Sequence, residues 1–303
     1  MIKNNILNKM INIETTNRCN AHCLVCPRDA FKPKLQDMDF NLFKKIINDC
    51  INYNTEVINL CGFGEPLLDK LFFKRCKYVK EKLPNSKIYM STNTFLLTEK
   101  YYDSIIKYID MIKFSIFGMS KETYKIMHKL NYNKCFTNII EFLKYKEDIE
   151  TNIYTSGLFV ETEYNKHERD EWIKFWESRL SEIYIYSPHN WLNLKYRELV
   201  KKEKKISCNR PFSTFYVHAN GETSPCCWDL NKKLIIGNLN KQTLEEIIES
   251  KELKNIQFKH NNNNFENLLC NDCDQTNPPD PNNLIYCSND KRKIGDYAYE
   301  VGK

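Results

Sequence analysis

The order of short apolar runs along the first two thirds of the chain restricts its fold more than any other feature. Runs of six to nine β-favouring residues alternate with longer stretches in which apolar residues recur every three or four positions. This alternation is typical of parallel strands joined by crossover helices. It predicts six strands: INIETT at 11–16, EVINLCGFG at 56–64, KIYMSTN at 87–93, MIKFSIFG at 111–118, TSGLFVET at 155–162 and EIYIYS at 182–187.

Helical periodicity is clearest in three of the stretches between these runs, at 41–53, 68–83 and 135–149. Six repeated β-α units are compatible with a doubly wound sheet and with an incomplete barrel. In both architectures ligands gather at the carboxyl ends of the strands. We therefore expect the functional residues to follow the strands directly.

Distinctive residues occupy these predicted strand ends. A loop with three cysteines follows the first strand, and GFGEPLL at 62–68 ends the second. The third strand ends in STN at 91–93, and the fourth ends in SIFG at 115–118. If the strands are parallel, all four motifs lie along the same edge of the sheet.

The last third of the chain has a different pattern. Residues 211–227 place Asn220-Gly221 between two β-rich runs, which is a strong signal for a two-residue hairpin turn. A helix is predicted at 241–259, followed by a polar tail rich in Asn and Pro. We predict two domains, residues 1–200 and 201–303.

Charge and hydropathy exclude several classes of protein. The net charge of +6 is spread along the 303 residues, without a long basic block, so no nucleic-acid partner is predicted. No stretch reaches the roughly 18 to 20 apolar residues of a membrane span. The first residues lack the apolar core and cleavage site of a secretory signal. We expect a cytoplasmic protein without membrane association, and no feature predicts its oligomeric state.

Thirteen cysteines are therefore expected in a reducing compartment, where clustered thiols favour metal binding or thiol chemistry over disulfides. Cys19, Cys23 and Cys26 form a C-x3-C-x2-C element. Thiolates suit iron-sulfur clusters and zinc, but a structural zinc site needs a fourth ligand, for which His22 is the near alternative. The spacing favours an iron-sulfur cluster over zinc, and both over a loop that is thiol-rich by chance.

Together with GFGEPLL, STN and SIFG in the same order, CNAHCLVC at 19–26 resembles the radical S-adenosylmethionine (radical SAM) enzymes over about residues 11–190. The resemblance implies a partial (β/α)6 barrel of the TIM type. It implies a 4Fe-4S cluster held by Cys19, Cys23 and Cys26, with S-adenosylmethionine (AdoMet) on the fourth iron. It also implies a 5′-deoxyadenosyl radical that takes a hydrogen atom from the substrate, and reduced flavodoxin or ferredoxin as electron donor.

The same resemblance assigns AdoMet binding to residues that match the family's motifs. Glycines permit close backbone approach, and a carboxylate complements an amino group. One position departs from the family, because Thr94 stands where many members have glycine. The implied residues are Gly62, Gly64 and Glu65 at the amino group, Val25 at adenine, Ser115 at ribose, and Thr92 and Asn93 of the STN motif.

A second set of cysteines, Cys208, Cys226, Cys270 and Cys273, can complete a zinc site or a 4Fe-4S cluster. The C-x12-G-x4-C pattern at 208–226 resembles the start of the auxiliary domains called SPASM and their shortened "twitch" versions. Full SPASM domains carry a C-x2-C-x5-C-x3-C segment, of which this chain has only the first pair. The resemblance implies a twitch-like domain, containing the hairpin, with one auxiliary 4Fe-4S cluster.

The leading hypothesis for the reaction is dehydrogenation of a secondary alcohol in a sugar- or cyclitol-type small molecule, with electron transfer to the auxiliary cluster. Because Cys19 lies so near the first residue, we expect no leader-binding domain of the kind found in many peptide-modifying relatives. Alternatives are an epimerase, a peptide-modifying enzyme, and a zinc or iron-sulfur protein without enzymatic activity.

An epimerase needs a hydrogen donor, and Cys227 and Cys287 are the candidates. If residues 226 and 227 are extended, their side chains point to opposite sides, so Cys227 should not share a cluster with Cys226. Candidates for substrate contact are Glu161, Glu163, Tyr186, His189 and Arg210.

Overall fold

Six parallel strands form the centre of the computed structural model, which describes residues 7, 9–30, 33–200 and 205–277 and the backbone of 284–287 and 291–294. They are β1 (Met10–Ile13), β2 (Val57–Asn59), β3 (Lys87–Thr92), β4 (Met111–Ser115), β5 (Tyr154–Val160) and β6 (Glu182–Tyr186). Each strand pairs in parallel with the next one along the chain. A doubly wound sheet would reverse its winding partway. The sequential order is that of an incomplete barrel, which confirms the implied fold class.

Each strand begins within one residue of its predicted start and ends before its predicted end. The first strand ends at Ile13 and the second at Asn59, and after one further backbone hydrogen bond to a neighbouring strand the chain enters a loop in both cases. The motifs therefore lie in loops just beyond the carboxyl ends of the strands.

Helices connect the strands: α1 (Phe40–Cys50), α2 (Phe72–Lys82), α3 (Tyr102–Tyr108), α4 (Lys121–Met127), α5 (Tyr132–Asp148) and α6 (Arg169–Trp176). The predicted helix at 68–83 starts too early, because Pro66–Leu68 form a separate 3₁₀ turn. Helix α5 starts earlier than predicted, because the Asn131 side chain accepts the Lys134 N–H at 3.0 Å and caps it. Helix α1 ends at Cys50, where a 3₁₀ turn takes over.

The core lies between these helices and the sheet. Phe43, Ile46 and Ile47 of α1 are completely buried, as are Ile11 and Ile58 on the neighbouring strands. Each buried side chain of this size stabilises the fold by roughly 1.5–3 kcal/mol relative to exposure. The barrel can therefore hold polar loops at its rim without losing its hydrophobic centre.

The C-terminal part adds a hairpin to the same sheet, formed by β7 (Phe215–Val217) and β8 (Glu222–Ser224), with β9 (Gly237–Asn238) beyond. Strand β7 pairs in parallel with β1. The prediction of a two-residue turn is wrong. Gly221 alone takes a left-handed conformation (φ 86°), and its N–H donates to the His218 carbonyl at 2.8 Å, so residues 219–221 form the connection.

The helix predicted at 241–259 is two helices, α8 (Leu244–Ile248) and α9 (Lys251–Asn261), which follow the short α7 (Arg210–Ser213). The break occurs because the Ser250 hydroxyl accepts the Leu253 N–H at 3.3 Å and begins a new helix. Two further strands, β10 (Leu284–Cys287) and β11 (Lys291–Ile294), pair antiparallel. The domain boundary near residue 200 stays a prediction. Within the described ranges, no helix has the length and apolar character that crossing a membrane requires.

A buried ion pair and a hydrogen bond fasten α2 to the chain segments that precede α2 and α1. The Arg75 Nε donates to the Asp69 carboxylate at 2.8 Å, and its Nη2 donates to the Met38 carbonyl at 2.5 Å. The side chains of Arg75 and Asp69 are 0% and 1% exposed. A buried pair of this kind stabilises little by itself, but removing one partner leaves the other as an uncompensated charge.

We therefore predict that Arg75→Met lowers the free energy of unfolding by about 3–5 kcal/mol. The matched control is Lys77→Met on the same helix, which breaks an exposed pair with Glu81 and should cost less than about 1 kcal/mol. Denaturant unfolding of the cluster-free protein measures both. Equal losses in the two variants would contradict the prediction.

Candidate active site

The loop with Cys19, Cys23 and Cys26 lies just beyond the carboxyl end of β1, and all three side chains are partly exposed. The rest of the chain holds its backbone: Glu65 N–H donates to the Arg18 carbonyl at 2.8 Å. The Arg28 guanidinium donates to the carbonyls of Asn17 and Phe63 at 2.7 and 2.9 Å. The loop is thus tied to the GFGEPLL segment after β2.

Polar groups surround two of the three thiols. The Ala21 N–H donates to Cys19 Sγ at 3.4 Å, and the Asn93 amide nitrogen lies 3.7 Å from the same sulfur. Cys23 Sγ lies 3.3 Å from Nδ1 of His128. His128 was not predicted, because it is 105 residues away from Cys23 and no local pattern marks it.

The chemistry of these thiols fits a metal centre. Burial raises the pKa of Cys26 to about 11 and that of Cys23 well above its usual range. Both thiols therefore stay protonated unless a metal ion binds to them. Metal coordination removes the proton of such a thiol. Among the residues that the structure describes, no three Cys, His, Asp or Glu side chains stand in the arrangement of a single bound ion.

The two glycines of GFGEPLL are required by the protein's own packing. A Cβ on Gly64 would lie 2.3 Å from the Thr16 carbonyl oxygen, and one on Gly62 would lie 2.7 Å from the Glu14 Cβ. No real side chain tolerates such distances, so these positions let the second loop approach the first. Contact between these glycines and AdoMet stays a prediction.

Glu65 lies beside Thr92 and Asn93, as the motif order predicts. Its carboxylate accepts the Thr92 hydroxyl and the Asn93 N–H, both at 2.8 Å, and the Leu67 N–H at 3.3 Å. Burial raises the pKa of Glu65 to about 7, although these three donors lower it. The carboxylate is therefore oriented and held near its ionisation point, where a nearby cation or polarised amino group would favour the charged form.

Thr94 occupies a position where the backbone is left-handed (φ 66°). A β-branched residue is rare in this region, which accounts for glycine at the same place in many members of the family that the motifs resemble. Thr94 keeps the turn through hydrogen bonds: its N–H donates to the Thr92 hydroxyl at 3.0 Å, and its hydroxyl donates to the Cys135 carbonyl at 3.3 Å.

Val25 and Ser115 lie elsewhere on the rim. Val25 is 7% exposed and packs in a small apolar cluster with Phe117 and Met127. Ser115 is the last residue of β4, is half-buried and pairs with Leu158 of β5. Their contacts with adenine and ribose stay predictions.

The four cysteines of the second set line one cavity in the C-terminal part, and all four are buried. Arg210 is buried among them, with its guanidinium 3.5 Å above the Trp228 ring and its Nη1 3.7 Å from Cys208 Sγ. The charge of Arg210 interacts with the thiols of Cys227, Cys208 and Cys226, which raises the pKa of Arg210. Four buried thiols around one cavity suit a fully cysteine-ligated cluster.

Of the two candidate hydrogen donors, Cys227 lies beside this cavity. Strand β8 ends at Ser224 and Cys227 lies in a turn, so the strand geometry assumed for residues 226 and 227 is not met, and whether Cys227 shares a cluster with Cys226 stays a prediction. Cys227 is partly exposed, and it is one of the thiols whose interaction with Arg210 raises the pKa of Arg210. Cys287 ends strand β10, and its side chain lies outside the described part of the chain.

A linker after β6 joins the cysteine loop to this cavity, and it was not predicted. The Trp191 indole N–H donates to the Val25 carbonyl at 2.8 Å, and Lys195 donates to the carbonyls of Cys26 (3.2 Å) and Leu24. On its other side, Trp191 packs against the apolar cluster around Cys226, Cys270 and Cys273. Among the substrate candidates, His189 lies here too, with its ring centroid 3.9 Å from that of Trp228 and 33° between the ring planes.

Comparison with known proteins agrees with this geometry. Residues 13–176 match the radical SAM superfamily. The chain therefore belongs to the radical SAM superfamily. Residues 208–274 match the iron-sulfur cluster-binding domain SPASM, so its C-terminal part is a SPASM-type domain. Its cofactors are AdoMet, a radical SAM 4Fe-4S cluster and an auxiliary cluster.

Two curated relatives differ in how much of each chain aligns. The S-adenosyl-L-methionine-dependent 2-deoxy-scyllo-inosamine dehydrogenase of Niallia circulans is 22% identical over 78% of this chain and 81% of the relative. The tungsten-containing aldehyde ferredoxin oxidoreductase cofactor-modifying protein of Pyrococcus furiosus is 27% identical over 50% of this chain. This match spans only 43% of that relative's length, and two further relatives match over 62% and 39% of theirs.

Solved structures share the fold at low identity. BtrN in complex with AdoMet and 2-DOIA has a TM-score of 0.64 and 20% identity, covering 90% of this chain and 94% of BtrN. Streptococcus suis SuiB bound to precursor peptide SuiA has a TM-score of 0.67 and 13% identity, covering 84% of this chain and 67% of SuiB.

The cavity cysteines generate a prediction about iron content. Reconstituted wild-type protein should hold about eight irons per chain, and Cys270→Ser should hold about four while keeping the AdoMet-responsive signal of the loop cluster. Cys61→Ser, which alters a partly exposed thiol outside both sets, is the matched control and should stay at about eight. Iron analysis and electron paramagnetic resonance (EPR) measure the outcome. Full iron content in Cys270→Ser would remove Cys270 from the ligand set.

The raised pKa of Glu65 generates a second prediction. Because the carboxyl stays protonated until the pH reaches about 7, it accepts the AdoMet amino group best at higher pH. The affinity of wild type relative to Glu65→Gln should therefore fall about tenfold between pH 8 and pH 6. Using the ratio cancels the titration of AdoMet itself, and Glu163→Gln serves as a carboxylate control. A ratio that does not change with pH would contradict a role for Glu65 in binding the amino group.

Proposed function

We propose that this radical SAM enzyme dehydrogenates a secondary alcohol of a sugar- or cyclitol-type small molecule. The observation that carries the proposal is the single cavity lined by Cys208, Cys226, Cys270 and Cys273. Support comes from the dehydrogenase relative that aligns over most of both chains, and from BtrN, whose solved complex contains 2-DOIA.

The loop cysteines would hold the cluster that, when bound, supplies the electron for cleaving AdoMet to a hydrogen-abstracting 5′-deoxyadenosyl radical. Cys19, Cys23 and Cys26 are the proposed ligands. Glu65, oriented by Thr92 and Asn93, would accept the amino group of AdoMet. Reduced flavodoxin or ferredoxin is the proposed electron donor.

Oxidation of a carbinol to a ketone releases one hydrogen atom, one proton and one electron. The hydrogen atom leaves with 5′-deoxyadenosine and the proton leaves to water, so the electron needs an acceptor. We assign the acceptor to the four-cysteine cavity. A fully ligated centre has no open position for substrate, and buried Arg210 offsets negative charge on the thiolates.

The linker would keep the donor and acceptor centres in fixed relation. Trp191 contacts the backbone of the cysteine loop and the apolar cluster of the auxiliary cavity, while Lys195 holds the carbonyls of Leu24 and Cys26. These contacts tie the backbone of the cysteine loop to the apolar cluster of the auxiliary cavity.

Epimerisation is the second candidate, and Cys227 favours it. Its thiol is partly exposed and could deliver a hydrogen atom to a substrate radical, and the thiyl radical left behind would take one electron from the reduced auxiliary centre and one proton from water. In that case the substrate returns with inverted configuration and unchanged mass. A peptide substrate is the third candidate, because the fold is shared with SuiB.

The test is anaerobic reconstitution followed by incubation with AdoMet, reductant and 2-deoxy-scyllo-inosamine, alongside a panel of amino sugars and cyclitols. We expect one product that is two mass units lighter for each 5′-deoxyadenosine formed. Cys227→Ala should keep this activity, because a dehydrogenase needs no thiol hydrogen donor.

A product of unchanged mass that carries one solvent deuterium in D₂O, and that disappears in Cys227→Ala, would replace dehydrogenation by epimerisation. No oxidised product from any of these substrates, with 5′-deoxyadenosine still formed on addition of a peptide, would favour the peptide alternative.

A further inference from the structure

Cys23, the middle cysteine of the loop, lies against the end of α4, because the residues before and after it both form hydrogen bonds there. His22 N–H donates to the His128 carbonyl at 3.2 Å, and Leu24 N–H donates to the Met127 carbonyl at 2.8 Å. Cys23 lies between these two backbone hydrogen bonds. The backbone hydrogen bonds on either side of Cys23 therefore place its side chain next to that of His128.

The His128 ring has one defined orientation. It is 0% exposed and stacks on Phe117 at 4.3 Å with 13° between the planes, while Tyr124 covers the other direction at 4.4 Å. The Phe117 backbone N–H donates to His128 Nε2 at 3.1 Å. A ring flip would break this hydrogen bond inside the core, where an unpaired backbone donor is costly.

These contacts determine the tautomer. An Nε2 that accepts a hydrogen bond carries a lone pair, so the ring hydrogen resides on Nδ1. Nδ1 lies 3.3 Å from Cys23 Sγ. The imidazole therefore directs an N–H group at the sulfur.

We propose that His128 is a positioning residue that donates a hydrogen bond from Nδ1 to the Cys23 thiolate and thereby raises the reduction potential of the loop cluster. The proposal rests on the ligand role proposed for Cys23 and is independent of the substrate. An N–H donor withdraws negative charge from a ligand sulfur, and this matters more after the cluster gains an electron. A higher potential makes the electron for AdoMet cleavage easier to supply.

The test is a redox titration followed by the AdoMet-responsive EPR signal, in wild type, His128→Leu and His128→Asn. Leucine removes the donor, and asparagine places an amide N–H near the position of Nδ1. At a fixed applied potential, His128→Leu should lower the reduced-to-oxidised ratio of the loop cluster about tenfold, a shift of about 59 mV for one electron. His128→Asn should recover most of this shift.

Each sample contains an internal control, because the auxiliary cluster should keep its potential in all variants. Equal loop-cluster potentials in wild type and His128→Leu, with both clusters loaded, would overturn the proposal. A parallel shift of both clusters would also overturn it, since that result indicates general disturbance of the protein.

Two further measurements separate this inference from its premise. Cys23→Ala should abolish the AdoMet-responsive signal, and survival of the signal would refute the ligand role of Cys23 itself. Nitrogen-15 NMR of histidine-labelled, cluster-free protein should show His128 protonated at Nδ1. Protonation at Nε2 would refute the hydrogen bond even if the His128 variants cannot be loaded.

Discussion

The carboxylate of Glu14 connects the parts of the molecule that meet at the rim of the barrel. It follows β1 directly, is 3% exposed, and accepts hydrogen bonds from Phe63 N–H, Ala219 N–H and the Tyr216 hydroxyl at 2.9–3.1 Å. Burial raises its pKa, and the three donors oppose that rise. A buried carboxylate is tolerable only with such partners. One side chain thus binds the loop after β2 and the C-terminal hairpin to the strand that leads into the cysteine loop.

The two cysteine sets differ in the charge of the groups that lie closest to their sulfur atoms. Around the loop, the groups that approach the sulfurs directly are neutral, namely a backbone N–H, the Asn93 amide and His128, while the charges of Arg28 and Lys195 act on Cys26 from positions on the loop backbone. Around the auxiliary cavity a full positive charge, Arg210, is buried against Trp228. Neutral donors adjust the energy of a centre that must also admit AdoMet. A buried guanidinium suits a closed centre whose four thiolates would otherwise carry uncompensated charge.

Much of the barrel could be predicted because its strands are continuous apolar runs and its motifs lie at their ends. All six strand starts were correct to one residue. The errors came from side-chain hydrogen bonds that redirect the backbone, such as the Ser250 cap that divides one predicted helix into two. Similarly, the Asn-Gly pair indicated a hairpin but not its three-residue connection, because a two-residue type I′ turn needs both residues left-handed and only Gly221 is.

In the candidate site, too, residues in local motifs could be predicted and residues from distant parts of the chain could not. Residues in local motifs, such as Glu65 with Thr92 and Asn93, were predicted as a group and do lie together. His128, Trp191 and Lys195 reach the cysteine loop from 105, 166 and 171 residues away and belong to no local pattern. These residues come close to the loop only through the folding of the barrel and the path of the linker. Contacts over such distances in the chain leave no motif or spacing in a single sequence.

The linker has one more consequence. Trp191, Leu192 and Asn193 all adopt left-handed backbone conformations (φ 51°, 52° and 68°), which costs roughly 1–2 kcal/mol for each residue. Contacts at both ends help to maintain this turn: Trp191 lies on the cysteine loop, and Leu192 lies in the apolar cluster around the auxiliary cysteines. The backbone energy of this turn therefore depends on contacts with both cysteine sets, so a change at either set bears on the conformation of the segment between them.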